Sequence, residues 1–448
     1  MFEKVLIANR GEIALRVQRA CQELGIRTVA VHSTRDADTM AVRLADETVC
    51  IGPPAARLSY LNAAAILQAA VNTGADAIHP GYGFLSEDPD LAEACEQLGI
   101  TLIGPPASVL AVLGSKDSAR AAMARAGLPL LPGSTGPLDL AGAQDQAARI
   151  GFPLLVKAVA GGGGRGMAVA ENAAELPEVF RQTQASAAKL FADGRVYVER
   201  YLRRARHVEV QILADRYGRV IHLGERDCSM QRRRQKLIEE SPAPALPAEL
   251  VERLRAAAVT GAEAVGYQGA GTFEFIVDDD LDFFFMEVNC RIQVEHPVTE
   301  MVTGIDLVAE QLRVAAGNPL TLAQSDVELR GAAIECRINA EDPDRHFAPA
   351  PGRIVELILP GGPFVRVDTH VHAGCSVPPE YDPLIAKVIA WGPDRDTAIA
   401  RMRRALRETT MAGPGLRTTA GFLHDLLDSR AFGKAEHCTS YIDELTRE

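Results

Sequence analysis

Apolar runs and helical repeats alternate from the first residues of the chain. Residues 4–8 (KVLIA) read as a strand, Gly11 to Leu24 follow a helical repeat that stops at Gly25, and residues 27–31 (RTVAV) read as the next strand. The order returns in the TVCI run before Gly52, a helix around 61–73, a strand at 76–79 and the ITLI run before Gly104. An open parallel α/β sheet is expected. Its first turn, Asn9-Arg10-Gly11-Glu12, lacks the three glycines of a dinucleotide fingerprint, so the expected role of this unit is scaffold rather than NAD binding.

After Gly114 the pattern predicts two helical stretches, then Pro129, Pro132, Gly133 and a polar linker toward Gly142 that mark a boundary. A smaller module spans about 130–203, from the strand PLLVKA through a glycine-rich turn to the strand VYVERYL. From 204 onward strand patterns dominate (HVEVQIL, RVIHL, GTFEFIV, DFFFMEV), and a last α/β section runs from about 331. No internal repeat or low-complexity tract interrupts this organisation.

The runs FEFIV and FFFMEV flank the acidic turn Asp278-Asp279-Asp280-Leu281-Asp282 and predict a hairpin. Antiparallel pairing about that turn sets Glu274 opposite, or nearly opposite, Glu287. Two facing carboxylates repel unless one takes a proton or a cation lies between them, and oxygen ligands suit a hard cation, Mg²⁺ or Mn²⁺. Extended backbone through 295 would then point Glu287, Asn289, Arg291, Gln293 and Glu295 to one side, with Val288, Cys290, Ile292 and Val294 on the other. Such a face can ligate metal, bind an oxyanion and supply a general base.

Three further segments carry charge or flexibility. Lys157 ends a strand that enters Gly161-Gly162-Gly163-Gly164-Arg165-Gly166; its flanking strands suit a mobile flap over a nucleotide, and no Walker A motif is present. Residues 225–236 (ERDCSMQRRRQK) gather cations that, taken alone, fit a solvated surface as well as a site. Glu335-Cys336-Arg337 repeats the polar alternation, and by itself Arg337 reads as a structural ion-pair arginine.

Composition narrows the classes. A length of 448 residues suggests about three domains, and no stretch approaches the ~20 apolar residues of a membrane span. The start has no secretory pattern, and eight cysteines without any Cys-x-x-Cys pair fit a reduced cytoplasm better than a disulfide framework or a zinc site. A net charge of -12 argues against nucleic acid, while leaving room for a local basic pocket.

Seven segments in order, IANRGEIALR, HPGYGFLSE, KAVAGGGGRGM, ERDCSMQRRRQK, NCRIQVEHPVTE, ECRINAEDP and PPEYDPLIAK, resemble the biotin carboxylases of the ATP-grasp superfamily. The resemblance implies an N-terminal domain over 1–113, an ATP-grasp domain over 114–330 with a lid at 130–203, and a C-terminal domain over 331–448. It implies that Lys116, Lys157, Gly163, Gly164 and His207 contact ATP, that Glu199, Arg200, Tyr201 and Leu202 hold adenine at the lid hinge, and that Glu274, Glu287 and Asn289 ligate Mg²⁺ or Mn²⁺. Lys236, Arg291, Gln293 and Val294 would hold bicarbonate, and Glu295 would remove its proton. Arg337 would stabilise the enolate-like oxygen of biotin, which replaces its structural reading. The chain departs from the family at Arg234, Ala160 and Cys290 and in a hairpin turn one residue longer.

The implied reaction is ATP-dependent carboxylation of biotin through carboxyphosphate, in the acetyl-CoA carboxylase of fatty acid synthesis or, alternatively, in another acyl-CoA or pyruvate carboxylase. No Ala/Val-Met-Lys-Met segment is present to carry biotin, so a biotin carboxyl carrier protein and carboxyltransferase subunits are implied partners. A homodimer is implied as well, with Arg19, Glu23 and Arg366 as interface candidates. Two competing readings, another ATP-grasp ligase and a nucleotide-binding scaffold without chemistry, are disfavoured by Arg337 with Lys236 and by the intact acidic set, respectively.

Overall fold

The computed structural model describes residues 1–134, 136–160 and 166–446. The first apolar runs form a five-stranded parallel sheet, ordered Glu47–Gly52, Arg27–Ser33, Lys4–Ile7, Ala77–His79, Thr101–Leu102. Its central strand, KVLI, is buried throughout, as a parallel strand covered on both faces must be. The helices Gly11–Glu23 and Ala63–Thr73 lie where the pattern puts them, and Pro89–Leu98 adds a third, capped by Asp88, which accepts from the Asp90 and Leu91 amides. Asn9 donates to the carbonyls of Pro80 (2.7 Å) and Tyr82 (2.8 Å). Gly81 permits this approach: its φ is +63°, and a Cβ there would sit 2.8 Å from Asn9 Nδ2.

Between Gly114 and Pro129 the chain forms one helix, Lys116–Arg125, where two were expected. The other helical stretch, Ala107–Gly114, comes earlier and buries Val109, Leu110 and Leu113 in a core shared with Met123, Phe273 and Phe285. The smaller module has its own core, with Val156, Phe180 and Val198 packed between an antiparallel three-stranded sheet and the helices Leu140–Ile150 and Leu176–Phe191. Its entry and exit lie side by side, because the Arg200 amide donates to the Pro132 carbonyl at 2.8 Å.

An eight-stranded antiparallel sheet dominates the rest, in the order Phe283–Asn289, Gly269–Val277, Arg206–Ala214, Val220–Arg232, Gln235–Ser241, Ala332–Asn339, Leu384–Gly392, Val365–Thr369. It runs without a break across residue 331. Helix Ala248–Ala264 buries Leu250, Leu254, Ala258 and Ala262 with one part of the sheet, and helix Arg395–Glu408 covers the C-terminal strands with Ala398, Met402 and Ala405. No helix among the described residues is long and apolar enough to cross a membrane.

The hairpin forms with Glu274 opposite Glu287, and a bulge next to Glu274 brings Phe275 against Phe285. One expectation is corrected. The polar run does not continue as a single strand to 295, because the strand ends at Asn289 and Glu295 stands just before the helix His296–Thr303. Cys290 sends its amide to Glu87 Oε1 (2.8 Å) instead of into the ladder, and Cys290 and Ile292 bury their side chains as the chain turns.

Candidate active site

Strand register lines up charge across the sheet. Glu287 faces Glu274, Glu274 faces Glu209, and Glu209 faces Arg226, so four ionisable groups share one face of four adjacent strands. Glu209 and Arg226 are fully buried, and Arg226 donates to Glu209 Oε1 (2.5 Å), Gln211 Oε1 (2.9 Å) and Thr299 Oγ1 (2.9 Å). Lys236 reaches in from a further strand and bonds three carboxylates at once: Glu209 at 2.7 Å, Glu274 at 3.0 Å and Glu295 at 2.6 Å. Against the cost of its burial, Cys228 and these carboxylates keep the amine protonated well above the usual lysine range.

Although the strand stops early, its polar side chains converge. Asn289 Nδ2 and Gln293 Nε2 donate to Glu274 Oε1 at 2.8 and 3.0 Å, and Arg291 donates to Asn289 Oδ1 and Gln293 Oε1, both at 2.9 Å. Glu87 takes Arg291 Nε at 3.0 Å, which joins the parallel-sheet unit to this centre. His207 Nε2 lies 3.0 Å from Glu274 Oε2. Burial alone would raise the proton affinity of Glu274, but Lys236 and His207 hold it below the usual carboxylate range; reciprocally, Glu274 outweighs the burial of His207 and raises its pKa.

Glu295 is fully buried between two cations, with Oε1 on Lys236 and Oε2 accepting from Arg337 Nη2 at 2.8 Å. Burial opposes ionisation, yet Lys236, Arg337 and Arg226 hold its pKa well below the normal value. Arg337 Nε also donates to Glu239 Oε1 at 2.6 Å, and burial pushes the Glu239 carboxyl up to about 7 despite Arg337. Val294 contributes its carbonyl, which accepts from Lys387 Nζ at 2.8 Å.

A second cluster lies where the small module joins the rest of the chain. Lys157 donates to Glu199 Oε2 at 2.9 Å, and Arg120 ion-pairs with the other oxygen. Burial and the nearby Lys157 lower the Lys116 pKa, against the pull of Glu287 and Glu199, so both lysines sit within electrostatic reach of Glu287. Arg200 and Tyr201 anchor the hinge backbone to Pro132 and Pro153, while Leu202 follows as half-buried chain outside the strand. Gly163 and Gly164 lie outside the described residues.

The donor set suits a hard divalent cation: Glu274 and Glu287 face each other across the hairpin, and Asn289 adds an amide oxygen. The basic segment 225–236 divides in two. Glu225, Arg226 and Asp227 are buried, and Arg233 and Arg234 turn at the hairpin tip with φ of 48° and 66°. Reading by residues passed over Glu87, Arg120, Glu209, Arg226 and Glu239 as site residues. The signal for Glu209 was present: in His207-Val208-Glu209-Val210-Gln211 the polar residues alternate with apolar ones and so share the Glu274 face.

Three family models cover nearly the whole chain: "Biotin carboxylase, N-terminal domain" matches residues 1–110, "Carbamoyl-phosphate synthase L chain, ATP binding domain" 115–323, and "Biotin carboxylase C-terminal domain" 335–444. The chain is 53% identical to a biotin carboxylase of Nostoc sp. over 100% of both chains. It is 54% identical to biotin carboxylase 1 of Bacillus subtilis over 99% of this chain and 98% of that protein. Among solved structures, a biotin carboxylase complex from Campylobacter jejuni superposes with a TM-score of 0.96 at 45% identity, covering 99% of each chain. The biotin carboxylase domain dimer of Hydrogenobacter thermophilus 2-oxoglutarate carboxylase, in complex with MgADP, ADP and bicarbonate, gives 0.96 at 46% identity over 99% of this chain and 98% of that one.

Proposed function

The chain belongs to the biotin carboxylase family, and we propose that its buried centre uses ATP and bicarbonate to carboxylate biotin presented by a carrier protein. The observation that carries this reading is Glu295, a carboxylate fixed between Lys236 and Arg337. One cation belongs to the side of the site where ATP and bicarbonate react, the other to the side where biotin enters.

Glu274, Glu287 and Asn289 would hold Mg²⁺ or Mn²⁺, which supplies charge neutralisation for the phosphates. Lys116, Lys157 and His207 would add positive charge around the nucleotide, and the family resemblance adds Gly163 and Gly164 as ATP contacts and Glu199, Arg200, Tyr201 and Leu202 as the residues that hold adenine. Lys236, Arg291, Gln293 and Val294 hold bicarbonate in line with the γ-phosphate. As the anion engages Lys236, it draws that donor away from Glu295, whose proton affinity rises toward that of a working base. Bicarbonate oxygen then forms its bond to γ-phosphorus while the bond to ADP breaks, and Glu295 takes the bicarbonate proton. The bond between carboxyl carbon and phosphate oxygen in carboxyphosphate then breaks, the released phosphate takes the ureido N–H proton, and that nitrogen bonds the carboxyl carbon while Arg337 stabilises the negative charge on the ureido oxygen.

The division into 1–113, 114–330 with the lid at 130–203, and 331–448 is proposed on the same basis, as are carboxyltransferase partners and a cytoplasmic setting. A homodimer accords with the exposure of Arg19, Glu23 and, at 52%, Phe364. Arg366 is held within its own chain by Glu300 (2.6 Å) and Asp368 (2.7 Å), which fits it to shape that surface. Acetyl-CoA is the proposed final acceptor. The likeness to a 2-oxoglutarate carboxylase domain favours a keto acid as the second reading. The test is phosphate release from MgATP and bicarbonate, which free biotin is expected to accelerate; stimulation by another carboxylic acid instead of biotin would overturn the assignment. The biotinylated protein that co-purifies, and the acyl-CoA or keto acid its complex carboxylates, decides the acceptor.

A further inference from the structure

The turn carrying Gln293, Val294 and Glu295 is gripped from behind by two buried side chains that the mechanism above does not use. His296 is fully buried, and its Nδ1 lies 2.7 Å from the Gln293 carbonyl oxygen. A carbonyl can only accept, so this nitrogen carries the ring proton. Lys387, also fully buried, donates from Nζ to the Val294 carbonyl at 2.8 Å. Two successive carbonyls thus point into the core. A trans peptide directs its N–H opposite to its C=O, so the amides of Val294 and Glu295 point away from His296 and Lys387.

From this geometry we infer that His296 and Lys387 are positioning residues that turn the Gln293 and Val294 carbonyls inward, presenting the amides of Val294 and Glu295 to bicarbonate as a two-donor anion nest. The inference rests on the proposed assignment of Gln293 and Val294 to that substrate. Without the two side chains the Val294 carbonyl would lose its Lys387 partner and the Gln293 carbonyl would keep only the long 3.4 Å bond from the His296 amide, and a carbonyl rotated outward would meet the anion with its negative end.

The charges around the pair suit constant service. Burial, with the cations Lys387, Arg16 and Arg366 and against Asp368, holds the His296 pKa well below its ordinary value, so the ring stays neutral. Its Nε2 faces Glu300 at 3.9 Å. Lys387 has Glu12 Oε1 at 3.0 Å and Asp368 Oδ2 at 4.0 Å, and with Glu335 these acids outweigh its burial and keep it charged. An ionised donor polarises the Val294–Glu295 peptide more strongly than a neutral one would, which strengthens the Glu295 N–H as a donor.

The test reads the KM for bicarbonate against the KM for ATP in biotin-stimulated phosphate release, with the melting temperature of each variant. His296→Leu removes the donor, and it is expected to raise the bicarbonate KM about tenfold or more, the effect of losing one hydrogen bond to the turn, with the ATP KM within about twofold. His296→Asn, whose Nδ2 reaches the same carbonyl, should recover most of the loss. Lys387→Met alone would strand Glu12 in the core, so it is paired with Glu12→Gln, and the double variant should show the same KM split. A bicarbonate KM within about twofold of wild type in both the His296→Leu and double variants would overturn the inference, and so would His296→Asn performing no better than His296→Leu. If His296→Leu does not fold, the double variant decides. Gln293→Leu separates the two levels of the argument: an unchanged bicarbonate KM there overturns the substrate assignment, whereas a raised one beside normal His296 and Lys387 variants overturns the positioning role alone.

Discussion

Glu295, the proposed base, is held in the structure as a strong acid. Lys236 and Arg337 suppress its proton affinity, and in the proposed reaction an anion that competes for Lys236 would restore it. Glu295→Gln is expected to keep ATP binding, measured by titration calorimetry, and to lose bicarbonate-dependent turnover by about 10²- to 10⁴-fold, the usual worth of a general base. Glu335 behaves oppositely. Burial raises its pKa well above the usual value, against the pull of Lys387, and neither of its oxygens has a hydrogen-bond partner among the described residues. A raised folded-state pKa contributes stability below the unfolded value that is lost as pH rises. Glu335→Gln cannot titrate, so its melting temperature relative to wild type should climb between about pH 5 and about pH 8. Most residues of the centre could be named from the sequence because they sit in strings of unusual polarity. Arg226 was visible only as one cation of the 225–236 string and Glu239 only as one of two adjacent acids, since an arginine or acid inside a strand looks the same whether it faces solvent or another charge.

At the scale of elements, period-two alternation sufficed to pair Glu274 with Glu287, for the hairpin is closed by its own short turn. Alternation failed beyond Asn289. There the backbone obeys a long-range partner, Glu87, and the start of a helix, neither visible in a local pattern. The small module has a hydrophobic core of its own, and Phe180 lies in that core with Val156, Leu176 and Val198. Phe180→Ala should cost about 3–5 kcal/mol locally, with hydrogen exchange accelerating across 140–200 while the large sheet keeps its protection. Uniform loss of protection would show that the module is not a separate cooperative unit.

For the whole molecule, the eight-stranded sheet is the decisive object. It carries the strands of Glu274 and Glu287 at one edge and reaches the strands of Arg337 and Lys387 toward the other, so the residues proposed for the two ends of the reaction share one sheet. The first helix is largely buried but exposes Arg19 and Glu23 near its end, which offers a test of assembly: Arg19→Glu is expected to weaken self-association about tenfold or more by changing the charge at that surface, read by sedimentation velocity over a dilution series. An unchanged profile would remove that helix from the dimer surface.

By itself the sequence determined the alternation of strands and helices in the first hundred residues, the parallel first sheet, the opposed glutamates and a family resemblance spread along the chain. These follow from local periodicity, turn chemistry and contiguous motifs, which a linear string records. Only the tertiary structure decided that Lys236 bonds three carboxylates, that Glu209 and Arg226 extend the row begun by Glu287 and Glu274, and that Lys387 grips Val294 from 93 residues away. The reason is physical: a buried charge is tolerable only beside its counter-charge, and which distant strands become neighbours is settled by packing of the whole sheet rather than by any one segment.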